Sequence, residues 1–160
     1  MIRKKITIPA LAVGIALAGM GSVHAEEAAV VELTQTACQF VEVEAGGDHG
    51  FTSRSKADCE AINAETGAER LAAAKVFTLK PGDYVFRVKN ENVPYALGFW
   101  LRDRGYDEAN VLKRLTMTSV SGGGLDTGVT KDYKVTLEPG EYIYSCPLNP
   151  TPNYRIVVQG

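Results

Sequence analysis

Hydrophobic and polar residues alternate along most of the second half of the chain, with the two-residue period of strands half buried in a sheet. Tyr84-Val85-Phe86-Arg87-Val88-Lys89-Asn90 and Tyr133-Lys134-Val135-Thr136-Leu137 alternate most cleanly. Further strands are expected at Val76–Leu79, Ala96–Arg102, Tyr142–Cys146 and Tyr154–Val158, with Val30–Phe40 as the opening strand. Pro81-Gly82 and Pro139-Gly140 supply turns between them. Short strands broken by such turns predict an antiparallel β-sandwich or barrel.

Helical and loop patterns interrupt the strands. Ser55-Lys56-Ala57-Asp58 and Thr66-Gly67-Ala68-Glu69 read as capping boxes, which places helical turns over 56–64 and 67–74 with Gly67 between them. Asp107 is the expected cap of a short helix ending at Leu115, and Ser121-Gly122-Gly123-Gly124 reads as a flexible connection.

The N-terminus has the grammar of a secretory signal. Arg3-Lys4-Lys5 precedes an apolar run from Ile6 to Met20, and Val23-His24-Ala25 is an acceptable cleavage pattern. The expectation is removal of residues 1–25, a single mature domain over 26–160 in the periplasm, and no stable membrane insertion after cleavage. Losing those three cations moves the formal charge from −2 to −5. That charge gives no expectation of nucleic-acid binding. No HExxH, P-loop or dinucleotide motif is present, and one mature histidine makes no catalytic set, so the chain is not expected to be an enzyme.

Cys38, Cys59 and Cys146 all belong to the mature part. Oxidising export favours a disulfide, and an odd count leaves one thiol over. Three pairings are open: Cys38 with Cys146, Cys38 with Cys59, and Cys59 with Cys146. Thiolates also suit soft ions. His49, in the loop Gly46-Gly47-Asp48-His49-Gly50, reads either as a ligand folded over that end or as an exposed loop residue. Glu42, Glu44 and Asp48 read as hard donors or as solvated acids, and Met117 as an axial thioether or core.

Two segments carry a family resemblance. Glu138-Pro139-Gly140-Glu141-Tyr142-Ile143-Tyr144-Ser145-Cys146 resembles the closing strand of a cupredoxin, and Pro81–Asn90 followed by Pro94-Tyr95 resembles the element that ends in that family's first copper-binding histidine. The resemblance implies a Greek-key β-sandwich with short helical insertions. It places Cys146 at the thiolate position, Tyr95 at the first imidazole and Asn149 where a second is expected. A type 1 copper centre needs two imidazoles and a thiolate, so that centre is not expected.

The chain is also similar to the histidine-poor cupredoxin domain of EfeO-type periplasmic iron-uptake proteins. The matching segments are Ala37-Cys38-Gln39-Phe40, Ala96-Leu97-Gly98-Phe99-Trp100-Leu101 and Cys146-Pro147-Leu148-Asn149-Pro150. Gln39, Gly98, Trp100 and Ile143 stand where those domains carry acidic residues. The resemblance implies copper or iron handling at a non-blue site drawn from Cys146, Cys38, His49 and Tyr95. The alternative is a metal-free, disulfide-stabilised module that binds an envelope protein, and an electron-transfer protein is the third reading.

Overall fold

The computed structural model describes residues 27–160; the expected signal segment lies outside them. The described chain forms β1 (Ala29–Thr36), β2 (Gln39–Phe40), α1 (Lys56–Ala73), β3 (Phe77–Leu79), β4 (Gly82–Asn90) and β5 (Leu97–Asp103), then α2 (Val111–Thr116), β6 (Ser119–Leu125), β7 (Thr130–Leu137), β8 (Gly140–Ser145) and β9 (Tyr154–Val158). The strands make two sheets, ordered β2-β1-β4-β7 and β3-β9-β8-β5-β6. The expected β-sandwich is the architecture observed. Two pairings, β1 with β4 and β3 with β9, are parallel, and the others are antiparallel.

The alternation read from the sequence sets which face is buried. Phe86 and Val88 of β4, Tyr133 and Leu137 of β7, Tyr142 and Tyr144 of β8, and Tyr154 and Ile156 of β9 point into the core. Arg87 and Asp132 face outward and pair across β4 and β7 at 2.8 Å. Phe40, Phe99, Tyr144 and Tyr154 form an edge-to-face and tilted cluster with centroids 5.4–6.1 Å apart. Such pairs add about 0.5–1.5 kcal/mol each beyond their area burial. This cluster joins the two sheets.

Three local expectations are corrected. Residues 56–73 form one helix rather than two pieces. Gly67 lowers helix propensity by only about 1 kcal/mol, which does not halt a helix already propagating. Thr66 does not cap; its hydroxyl donates back to the Ile62 carbonyl at 2.8 Å. The first box does operate, because the Asp58 carboxylate accepts from the Arg54 and Ser55 backbone at 2.8 and 3.0 Å.

The second correction concerns the glycine run. Ser121–Gly124 lies within β6 instead of forming a loop. A Cβ on Gly98 would sit 2.8 Å from the Gly122 carbonyl oxygen, and one on Gly122 would sit 2.9 Å from the Tyr133 ring. These glycines permit close approach between strands, which a composition argument mistakes for flexibility. The third is the α2 cap. Asn110 accepts from the Lys113 backbone at 3.2 Å, while Asp107 holds the preceding turn through Ala109.

Candidate functional site

Strand β8 delivers Cys146 to one end of the sandwich, where it is 1% exposed. Its Sγ accepts from the backbone N–H of Gly98 at 3.5 Å and of Asn149 at 3.2 Å. Burial pushes the thiol up from its ordinary value, and those N–H donors only partly oppose it. Among the described residues Cys146 is the free cysteine.

Of the three open pairings, Cys38–Cys59 is the one formed. Cys38 and Cys146 are therefore not a soft-metal pair, and Cys59 with Cys146 is not a disulfide. Cys38 occupies the turn between β1 and β2 with φ of 65°, a left-handed conformation that a non-glycine residue adopts only when its surroundings hold it. The surroundings are specific. Its N–H donates to Asn149 Oδ1 at 2.9 Å and its carbonyl accepts from Arg70 Nη2 at 2.9 Å.

Asn149 is the centre of this end. It is fully buried, with Oδ1 bound to the Cys38 N–H and Nδ2 donating to the Thr36 carbonyl at 2.9 Å. The same Oδ1 lies 3.0 Å from Cys59 Sγ; a disulfide sulfur carries no proton, so this is a close S···O contact and not a hydrogen bond. One side chain thus joins the Cys38 turn, the disulfide and the Cys146 loop.

Tyr95 lies at the same end but is turned to other work. Its hydroxyl is 2.6 Å from Ser53 Oγ. Because Ser53 donates to the Ser55 carbonyl at 2.8 Å, Tyr95 is the donor in that pair. Its 3.4 Å approach to Asn149 Oδ1 is the long arm of the same donor. Burial raises the phenol above its ordinary value.

His49 is directed elsewhere. Its Nε2 is 2.8 Å from Glu44 Oε2, and its ring stacks on Phe51. Glu44, read as a solvated loop acid, is instead buried, with 1% of its side chain exposed. Arg70 binds it in a fork, Nε to Oε2 at 2.7 Å and Nη2 to Oε1 at 2.5 Å. Tyr154 donates its hydroxyl to the same carboxylate. Burial lowers the Arg70 pKa, but the bonds and charge of Glu44 outweigh it and the net direction is upward. Glu42 and Asp48 accept from backbone N–H groups of Thr34 and Gly50, both at 2.8 Å. Met117 ends α2, and the Asp103 N–H at the far end of β5 donates to the Thr118 carbonyl next to it, so the Met117 thioether does not stand beside Cys146, whose Sγ accepts from Gly98 near the start of that strand.

The cluster that sequence reasoning missed is Glu44–Arg70–Tyr154. Its members are 26 and 84 residues from Arg70, and no local pattern links them; only burial of the Arg70 face of α1 against the sandwich brings them together.

The donor set can be compared with a copper centre directly. Tyr95 and Asn149 are committed to hydrogen bonds, His49 to Glu44, and Cys38 and Cys59 to each other. No group of three or more His, Cys, Asp or Glu side chains among the described residues is placed to hold a metal ion. Copper of the type 1 kind, with two imidazoles and a thiolate, does not fit these residues.

A pH test follows from the buried acids. Among the described residues, the Tyr144 hydroxyl has no hydrogen-bond partner. Desolvation raises the pKa of Tyr144 well above its ordinary value, and desolvation together with Glu44 raises that of Tyr154. The fold therefore favours their neutral forms, as it does for Cys146. That contribution is complete below the unfolded-state values, about 8.5 for cysteine and 10 for tyrosine, and is lost as pH rises through the folded-state values. Each group removes about 1.4 kcal/mol per pH unit above its unfolded value. Melting temperatures measured from pH 7 to 11 should hold steady to about pH 8.5 and then fall; a flat profile to pH 11 would mean that these groups ionise as freely when folded as when unfolded.

No protein-family model matches this chain, and no curated protein does. Among solved structures it is similar to auracyanin B, at 15% identity over 83% of this chain and 90% of that one, with a TM-score of 0.49.

Proposed function

We propose that this chain is an exported, metal-free cupredoxin-like module of the cell envelope, with the end that would hold copper rebuilt as a structural lock, and that it acts by binding an envelope protein. The observation that carries this reading is Asn149. At a position where the resemblance suggests a second imidazole, both polar atoms of its amide are bound to the Cys38 turn. Export rests on the basic start and apolar run of the first 25 residues. The EfeO-type likeness is reduced to its cysteines, because Gly98, Trp100, Gln39 and Ile143 provide no carboxylate for a hard ion.

One observation favours a second reading, copper or iron handling through Cys146. Two backbone N–H groups aim at its sulfur, an arrangement that stabilises a thiolate as well as a thiol. Metal analysis of protein purified from the periplasm, with a free-thiol count, separates the two. The expected result is one free thiol per chain and only traces of copper or iron. Stoichiometric metal that disappears in Cys146→Ser would establish the second reading and end the first.

A further inference from the structure

We propose that the Cys38–Cys59 disulfide is a redox lock on Cys146: with the bond closed the thiol is sealed in the fold, and with it open the thiol becomes available to electrophiles and soft metal ions. The inference rests on the structural reading of this end and adds regulation to it. Three contacts hold the Cys38 turn in its left-handed conformation: the disulfide, the Asn149 amide and Arg70. Asn149 in turn places its own N–H on Cys146 Sγ, and only Pro147 and Leu148 separate the two residues. Release of Cys38 to an ordinary backbone conformation takes the N–H away from Asn149 Oδ1, and the cover over Cys146 is left on its bond to the Thr36 carbonyl alone.

Opening the bond needs two electrons and two protons from a dithiol. One thiolate of that dithiol attacks a disulfide sulfur and forms a mixed disulfide. Its second thiol then displaces the cysteine, leaving Cys38 and Cys59 as thiols and the dithiol oxidised. Both cysteines are buried, with Phe51 and Ile62 packed against them, so a reductant reaches the bond only through opening of the turn. The closed form is the resting state under oxidising conditions. Newly made or reduced chains present the open form, with three thiols whose residues all adjoin Asn149.

The test is the rate at which a maleimide labels Cys146 in chelator-treated protein. The oxidised wild-type chain should label slowly. The Cys38→Ala/Cys59→Ala variant and the Asn149→Ala variant, whose disulfide is intact, should each label faster by about tenfold or more, since thiol reactivity follows exposure. Near-UV circular dichroism of the buried aromatic cluster reports whether each variant remains folded. A folded double-alanine variant labelled at the wild-type rate overturns the proposal. If the double variant loses its aromatic signal, dithiol-reduced wild-type protein decides, with labelled peptides separated by mass spectrometry: labelling of Cys146 about tenfold faster than in the oxidised chain supports the lock, and the oxidised rate overturns it. Failure here leaves the metal-free reading standing, whereas metal uptake by the oxidised wild-type protein removes that reading without touching the labelling result.

Discussion

Arg70→Leu is expected to lower the unfolding free energy by about 3–5 kcal/mol, because removing one partner of a buried pair leaves the other charge uncompensated. The Glu44 carboxylate is 1% exposed and Arg70 7%, so water cannot replace the lost guanidinium. The fork to Glu44, the bonds to Asn63 and Thr66, and the bond to the Cys38 carbonyl all disappear together. Urea unfolding at neutral pH measures the loss. Replacing Glu44 as well, as Glu44→Leu/Arg70→Leu, should restore part of it, since an apolar pair of similar volume has no desolvation penalty. A loss below about 1 kcal/mol in the single variant would place the pair in solvent, where ion pairs contribute that little.

Opening the disulfide should have a comparable effect by a different route. Cys38 and Cys59 are 21 residues apart, and closing a loop of that size stabilises by about 3 kcal/mol in the chain-entropy model. The Cys38→Ala/Cys59→Ala variant should therefore melt about 10 °C lower. Reduced wild-type protein should melt near the same temperature. A much larger drop would show that the turn contributes through its native contacts rather than through the unfolded chain. Arg70 binds the Cys38 carbonyl, so the two perturbations share a partner and should combine non-additively.

Particular residues show why some of this was readable beforehand. The strands over 84–90, 133–137, 142–146 and 154–158 were legible because alternation reports a sheet face directly. The Asp58 cap was legible because its partners lie within four residues. The glycines of β5 and β6 were not, since Gly98 and Gly122 are demanded by neighbours on other strands, and a glycine kept for close packing looks the same in sequence as one kept for flexibility. The disulfide was legible as an option and not as a choice. Three cysteines allow three pairings, and only the turn after β1 and the start of α1 select one.

The site divides in the same way. That two imidazoles do not stand with Cys146 follows from counting, since His49 is the one histidine in residues 27–160. What Asn149 does instead required coordinates, because its partners Thr36 and Cys38 are 113 and 111 residues away. His49 and Glu44 illustrate the point most sharply: both lie in a polar, glycine-rich loop, yet His49 is exposed while the Glu44 carboxylate it reaches has almost no contact with water. Strand periodicity, a sandwich or barrel of short strands, and the supply of possible ligands were readable from residue order alone, because each depends on short-range spacing or composition. How those side chains are used depends on contacts across the fold, because burial and long-range pairing turn a free donor into a committed one.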